Sequence, residues 1–312
     1  VAVGVLVAAR DIISPCLSHP DTEMGSSVVS QDIDPNFTIE LLGELTISPI
    51  RVAVDPDSGR VFVSGNIGIA AQQGAVIELT VALNGASVKE NIVAAILNRP
   101  HGLAVHNGEI HVSRPGQFTS WRKSEARHHT IGAVTVIKDL DGDGKMDYYD
   151  DIVSNLPGAR GPDYLHQNNA IAFGADGALY ITSGARSDGH PPRHEWEGTI
   201  LRATGPNFSK VEVFARGLRN TVGLAGDANG LLFAADNDAQ TGETANLGDK
   251  LAVVTQGDDF GHPYAVPAQA GVSLPLLISK FSIGGINFAH HTTLPAPYKN
   301  NLFAAVYGEG KA

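Results

Sequence analysis

A strand–turn–strand pattern recurs five times along the chain and limits the folds open to it. Each copy has two apolar segments that alternate with period 2, which is typical of strands. A turn containing Gly or Asn separates the two segments, and such turns supply the positive φ that tight hairpins need. The copies occupy residues 50–65, 101–113, 169–184, 222–237 and 285–308. No window of similar length carries a 3.6-residue apolar stripe, so the pattern predicts an all-β fold.

Between these hairpins lie second hairpins, such as "GAVIELTVALNG" and "GTILRATGPNFSKVEVFARG". Two further ones are read in residues 132–153 and 249–260. Two hairpins make a four-stranded sheet, and the unit repeats every 50 to 70 residues or so, as the blades of a propeller do. The turns that mark the repeat are near Gly59, Gly108, Gly177, Gly230 and Asn300. We therefore predict a β-propeller.

Six blades would close the ring, and five are visible. The sixth is expected from strands beyond the C-terminus or from the segment "NFTIELLGEL" near the N-terminus. The prediction is a six-bladed β-propeller, incomplete at the C-terminus. Residues 36–312 form the propeller domain, and residues 1–35 form an apolar or irregular segment.

Composition excludes some partners. The net charge is −11 and no run of Lys or Arg occurs, which argues against nucleic acid and anionic membranes. Cys16 stands alone, which excludes an internal disulfide. The apolar N-terminal stretch is too short to span a bilayer. It fits either the remnant of a signal peptide or anchor, or a buried strand, and the first reading predicts a periplasmic or secreted location.

Polar residues at the ends of the predicted inner strands are candidates for a shared site. In a propeller the loops at these ends converge on the central channel. The residues predicted to face one cavity there are His101, His166, Arg219, Asn220, Asp236 and Asn237. A neutral imidazole can take a proton from a hydroxyl, and a guanidinium can stabilise the oxyanion that develops. For any one of these residues, the alternative is a polar loop side chain that satisfies backbone groups.

Four segments in order carry a resemblance to a known family. They are "LHQNNAIAFGADGALYITSGARSDG", "GTILRAT", "FARGLRNTVGLAGDANGLLFAADND" and "GDDFGHPY". Together they resemble the soluble PQQ-dependent sugar dehydrogenases (the glucose/sorbosone dehydrogenase family), which are six-bladed propellers that hold pyrroloquinoline quinone (PQQ) and calcium over the channel. The resemblance implies an oxidoreductase that passes hydride from a sugar or polyol to the quinone and electrons to an external acceptor.

The resemblance also implies roles for single residues. His166 corresponds to the base that takes the sugar hydroxyl proton. Arg219 and Asn220, in "GLRN", correspond to the pair that contacts the quinone oxygens, and we assign His101 to the same cofactor contact. The segment "AADND" falls where the family supplies calcium ligands, largely as backbone carbonyls, so the resemblance makes Asp236 and Asn237 candidates.

The chain also departs from the family. Ala185 stands where the family has an acidic residue that orients the histidine, and Asp188, three positions on, is the candidate substitute. The family's later basic residues, which hold the cofactor carboxylates, are expected beyond residue 312.

A separate acidic stretch, "DLDGDGKMDYYD", has the spacing of a calcium-binding loop. Carboxylates stand at loop positions 1, 3, 5, 9 and 12, with Gly144 at position 6, and such spacing can wrap oxygens around a hard cation. The predicted ligands are Asp139, Asp141, Asp143, Asp147 and Asp150. The alternative is an acidic β-turn with solvated carboxylates.

Two other functions remain open from the sequence. One is a lactonase-type propeller, in which calcium held by Asn169, Asn220 and Asp236 polarises a lactone carbonyl. The other is a non-catalytic propeller that binds a protein or a carbohydrate. A propeller fold alone does not decide among these functions.

Overall fold

The computed structural model describes residues 2–8, 37–67, 73–81, 88–115, 132–157, 166–237, 248–264, 270–280, 282–289 and 296–307. Within these residues the chain forms strands and two short 3-10 turns, Pro206–Phe208 and Ala296–Tyr298. The predicted all-β fold is confirmed. None of the described helical turns is long and apolar enough to cross a membrane.

Four antiparallel sheets of four strands each form the blades, and each blade is built from consecutive strands. Blade 1 contains β3 (Ser48–Val54), β4 (Val61–Asn66), β5 (Gln73–Val81) and β6 (Val88–Asn98). Blade 2 contains β7 (Gly102–His106), β8 (Glu109–Arg114), β9 (Gly132–Lys138) and β10 (Tyr148–Leu156). Blade 3 contains β11 (Asn168–Phe173), β12 (Leu179–Ser183), β13 (Thr199–Thr204) and β14 (Lys210–Ala215). Blade 4 contains β15 (Asn220–Gly226), β16 (Leu232–Asn237), β17 (Asp249–Val254) and β18 (Leu277–Ser279).

Two smaller sheets complete the described strands. The strands β19 (Ser282–Phe288) and β20 (Leu302–Tyr307) form an antiparallel hairpin after blade 4. Near the N-terminus, β1 (Ala2–Ala8) pairs in parallel with β2 (Phe37–Glu44). The arrangement is a β-propeller, but the described residues form four blades and one further hairpin rather than the six blades predicted. A blade needs two hairpins, and the described residues after blade 4 supply one.

Two details of the strand pattern differ from what the sequence suggested. The segment "NFTIELLGEL" was one of two alternatives for closing the ring, but β2, which lies within it, pairs with β1 in a sheet of its own. The second hairpin of blade 4 was read within residues 249–260. There the chain leaves β17 in a turn, in which Asp258 accepts hydrogen bonds from the backbone N–H (2.6 Å) and the hydroxyl (3.0 Å) of Thr255. The outer strand is β18 instead.

The five predicted hairpin turns are confirmed by the backbone. The φ angles are 72° at Gly59, 74° at Gly108, 73° at Gly177, 86° at Gly230 and 59° at Asn300. These positive values are common for Gly and tolerated by Asn. At Gly59, Gly108 and Gly177 a Cβ atom would meet nothing within 4 Å, so backbone conformation rather than space explains the glycine there.

Apolar layers between blades form the core. Phe62 and Val76 of blade 1 pack with Leu103 and Ile110 of blade 2. Corresponding layers join blade 2 to blade 3 and blade 3 to blade 4. The last layer joins blade 4 to β19 through Ile283. These apolar side chains are buried where neighbouring blades pack together. The first strand of each blade faces a central channel.

The central channel is bordered by β3, β7, β11, β15 and β19 and encloses about 710 Å³. Gly102 marks one close approach between inner strands, since a side chain there would overlap the carbonyl oxygen of Asn169. The polar residues singled out from the sequence lie at the end of this channel where the inner strands begin.

Candidate functional site

A polar cavity of about 350 Å³ lies at the mouth of the channel. Its polar lining side chains are Arg51, Arg99, His101, His166, Gln167, Asn169, Asn220 and Asn237. None of the described residues lining it is an Asp or a Glu. Four of the six residues predicted to share a cavity therefore do so, namely His101, His166, Asn220 and Asn237.

His166 precedes β11 and has a ring nitrogen without a partner. Its Nε2 atom is buried and has no hydrogen-bond partner among the described residues. The nearest carboxylate oxygen is Oδ1 of Asp188, 3.9 Å away. Burial first, and then the charge of Arg219, lower the pKa of His166 to about 4. The imidazole is therefore neutral at neutral pH and able to accept a proton.

Arg219 lies behind the cavity rather than in it. Its Nε donates to Oδ1 of Asp188 over 2.7 Å, and both side chains are nearly buried. The prediction that Arg219 faces the cavity is thus wrong, because a carboxylate from the loop after β12 holds its guanidinium. Asp188 lies beside both Arg219 and His166. It is the candidate predicted from the sequence to replace the family's acidic residue, whose position Ala185 occupies in this chain.

Asp236 is also buried behind the cavity, at the end of β16. Its Oδ1 accepts hydrogen bonds from the backbone N–H of Arg219 (3.0 Å), the backbone N–H of Asn220 (2.8 Å) and the hydroxyl of Thr221 (3.0 Å). The ammonium of Lys250 lies 3.5 Å from Oδ2. The side chain therefore fixes the turn before β15. The prediction that the Asp236 side chain faces the cavity is therefore wrong. Its carboxylate also does not fit a calcium ion, because its oxygens are occupied and the Lys250 ammonium stands beside them.

Replacing Asp236 with Asn is expected to lower the free energy of unfolding by about 2 kcal/mol or more. The neutral amide loses the attraction to buried Lys250, and its NH2 group cannot accept from the backbone N–H groups. Urea denaturation at pH 7 measures the effect. Asp57→Asn, in the exposed β3–β4 turn, is the matched control. Equal stability of the Asp236 variant and the parent would contradict the role in fixing the turn.

Side-chain amides form a directed chain of hydrogen bonds along the cavity wall. Asn237 donates from Nδ2 to Oδ2 of Asp249 (2.5 Å) and to the carbonyl of Ile283 (3.0 Å). Both partners accept only, so the Oδ1 of Asn237 must face Asn220, whose Nδ2 donates to it over 3.2 Å. Asn169 in turn donates to Oδ1 of Asn220 over 2.8 Å. The side-chain amide of Asn237 is thereby engaged on both sides and does not fit a calcium ligand, while a ligand role for its backbone carbonyl stays a prediction.

His101 ends this polar wall on the side of blade 2. Its ring lies within hydrogen-bonding distance of Nε2 of Gln167, 2.5 Å from one ring nitrogen. Burial, followed by the charges of Arg99 and Arg51, lowers the pKa of His101 to about 3. It is therefore a second neutral imidazole, and it can exchange hydrogen bonds with a ligand without adding charge.

The acidic loop lies between β9 and β10, away from the cavity. Ligand oxygens of Asp139, Asp141 and Asp147 lie within 4.8 Å of one another. Asp143 and Asp150 do not belong to this group of converging oxygens. Every aspartate of the group also accepts a backbone N–H of the loop, as Asp143 does from Lys145 over 2.8 Å, and Asp150 pairs with Val136 across the β9–β10 ladder. Three of the five predicted ligands thus converge.

None of Arg51, Arg99 and Asp249 was predicted from the sequence to be a site residue. Arg51 occupies a position between the alternating apolar residues Ile50 and Val52 of β3, where a polar residue fits the strand pattern and gives no separate signal. Asp249 begins β17 and is read from sequence as a surface charge. Its part in the amide chain depends on Asn237 and Ile283, which are distant in sequence from it.

Solved structures with the same arrangement include sugar dehydrogenases. The PQQ-bound aldose sugar dehydrogenase of Streptomyces coelicolor is 22% identical, with a TM-score of 0.56 over 78% of this chain and 72% of that one. The PQQ domain of pyranose dehydrogenase from Coprinopsis cinerea, in its holo form, is 17% identical, with a TM-score of 0.63 over 86% of this chain and 73% of that one. At these identities the likeness establishes a shared fold, and at that level it confirms the resemblance found in the sequence.

Fold and site together define a β-propeller protein with a polar ligand cavity at the mouth of its channel. A search among curated proteins finds no significant match. The family described as "Domain of unknown function (DUF7133)" matches residues 24–259, about three quarters of the chain. The protein belongs to this family.

Proposed function

We propose that the protein is a PQQ-dependent oxidoreductase that oxidises a sugar or polyol. The observation that carries the proposal is His166, a neutral imidazole with an unpartnered Nε2 at a polar channel mouth. The propeller fold, shared with PQQ-containing dehydrogenases, supports the same conclusion.

The donor groups of the cavity fit the cofactor. A quinone with several carboxylates presents mainly hydrogen-bond acceptors, and the cavity lining offers amide and guanidinium donors without an opposing carboxylate. Asn220 uses one N–H on Asn237, which leaves its second amide hydrogen for a quinone oxygen. Asn169 and Gln167 can supply further donors.

In the proposed reaction His166 acts as general base. Bound PQQ would supply the acceptor for the hydride that leaves the sugar carbon. As the C–H bond breaks, Nε2 of His166 takes the proton from the hydroxyl oxygen, so the alcohol becomes a carbonyl. Asp188 holds Arg219 beside this ring. It favours the imidazolium that forms, while the charge of Arg219 opposes it.

Reconstitution tests the proposal. Purified protein is loaded with PQQ and calcium, and dye reduction is followed across a panel of aldoses, sorbosone and polyols. We expect turnover that requires both PQQ and a sugar. A folded protein that binds no PQQ would overturn the proposal and leave a non-catalytic binding module.

The lactonase alternative gains no support from the site geometry. It needs Asn169, Asn220 and Asp236 as calcium ligands around the channel. The first two amides hydrogen-bond to each other, and the carboxylate of the third is turned away from the cavity to the β15 turn.

For calcium we propose a structural site at the acidic loop, on the converging oxygens of Asp139, Asp141 and Asp147. Calcium at millimolar concentration is expected to raise the melting temperature by a few degrees, because binding only to the folded state stabilises it. Thermal unfolding with and without calcium measures this. Asp141→Asn should remove the shift, and the surface variant Asp57→Asn should keep it. A shift unchanged in Asp141→Asn would contradict the site.

The proposed chemistry also requires a further partner. A PQQ enzyme needs an external electron acceptor to restore the oxidised cofactor. The periplasmic or secreted location, and the domain boundary at residue 36, stay predictions from the sequence.

A further inference from the structure

Two arginines face the cavity without a carboxylate partner among the described residues. Arg51, on β3, donates to the carbonyls of Ile50 and Gly284, each over 3.1 Å, and to that of Val222. Arg99 lines the same cavity. By contrast, Arg219 just behind the wall pairs with Asp188. Carbonyl groups satisfy hydrogen bonds but leave a guanidinium charge uncompensated.

An uncompensated charge in a partly desolvated site is costly, and a bound counter-charge removes the cost. Burial lowers the pKa of both Arg51 and Arg99. Their positive field also reaches His101, whose pKa it depresses further. Since His101 and His166 are neutral and the other polar lining groups are amides, the described lining carries net positive charge.

The two arginines and the proposed base lie on different sides of the cavity. Arg51 lies on the first strand of blade 1, and Arg99 lies in the connection from blade 1 to blade 2. His166, the proposed base, stands at the start of blade 3. The positive groups and the base therefore belong to different blades around the same mouth.

We propose that the channel-mouth cavity binds an organic anion whose carboxylate group is held by Arg51 and Arg99. The proposal rests on the same site as the proposed function and deepens it by naming the charge of the ligand. PQQ, which carries three carboxylates, is one such anion, and a carboxylated substrate without a quinone is another. The protein has a net charge of −11, which disfavours nonspecific anion binding, so binding would report on this cavity.

Equilibrium binding tests the proposal without any need for turnover. Isothermal titration is performed with three probes: PQQ, its uncharged trimethyl ester, and benzene-1,2,4-tricarboxylate, which cannot undergo quinone chemistry. The variants are Arg99→Gln and Arg99→Lys, with Arg51→Gln in support. The backbone of Arg99 has a φ of 45°, and Gln and Lys meet the same constraint there. A difference in affinity between Arg99→Gln and Arg99→Lys therefore reports the effect of the positive charge. Arg60→Gln, which removes an arginine paired with Glu78 elsewhere, is the matched control for net charge.

PQQ should bind the parent protein and Arg60→Gln alike, and Arg99→Gln should weaken it on the order of 10- to 100-fold. Arg99→Lys should recover part of the loss, and the trimethyl ester should bind as weakly as PQQ binds Arg99→Gln. Equal PQQ affinity in the parent, Arg99→Gln and Arg51→Gln would overturn the anion site and leave the proposed function standing. Binding of the tricarboxylate but not of PQQ would support the anion site and overturn the proposed function. No binding of either anion to folded parent protein would overturn both.

Discussion

Replacing His166 with glutamine is expected to lower PQQ-dependent turnover by a factor of about 100 to 10,000, the usual contribution of a general base. Glutamine keeps a polar side chain of similar reach but cannot take a proton at neutral pH. The measurement is the steady-state rate of dye reduction at saturating sugar, with PQQ affinity determined in parallel. Unchanged affinity with a lost rate would assign His166 to the chemical step.

The pH profile supplies a second readout for the same residue. Because the pKa of His166 is lowered to about 4, its base form is present throughout the neutral range. The rate should therefore fall only as the pH approaches about 4, where protonation removes the acceptor. His111→Phe, which alters a histidine in the core between blades 2 and 3, is the control and should leave the inflection in place. A His166→Gln variant with the parent rate and the same acid inflection would contradict the assignment.

The largest expected effect on stability is a loss of several kcal/mol as the pH falls from about 6.5 to 4. His111 is 2% exposed and lies edge-on to Phe173, with ring centroids 4.8 Å apart. Burial lowers its pKa to about 4. Between pH 6.5 and 4 the unfolded chain therefore binds a proton that the folded chain refuses, so acid favours unfolding. The contribution is about 1.4 kcal/mol per pH unit. His101 and His166, also with lowered pKa values, act in the same direction.

Urea denaturation at pH 7 and at pH 4.5 measures this dependence. His111→Phe keeps an aromatic ring in the layer but has no proton to bind. Whatever its stability at pH 7, its loss between the two pH values should be smaller than that of the parent by about 2 to 3 kcal/mol. Parallel losses in the two proteins would show that His111 does not drive the acid response.

The elements of the fold that depend on local chemistry could be predicted from the sequence, while the number of blades could not. Gly59 and Asn300 mark turns because positive φ restricts the residue types at one position. Strand pairing after blade 4 depends instead on distant segments. The edge strand β18 is separated from β17 by a long connection, so residues 255–260 looked like a closer partner.

The site divides in the same way. His166 and Asn220 could be placed at the cavity because the start of an inner strand determines where they lie. The directions of Arg219 and Asp236 could not be predicted, because Asp188 and Lys250 hold those side chains through contacts between segments far apart in sequence. Arg51 was missed since a single arginine in a strand is usually read as a solvent-facing residue.

The hydrogen bonds of Arg51 have a consequence for the order of folding. Strands within a blade are neighbours in sequence, so each blade can assemble from short-range contacts, which form quickly. Arg51 contacts Val222 and Gly284 across separations of 171 and 233 residues. These contacts can form only once the blades stand side by side. The hydrogen bonds of Arg51 therefore form late in folding. The binding cavity that Arg51 borders is complete only after the blades have packed together, and no single blade forms it alone.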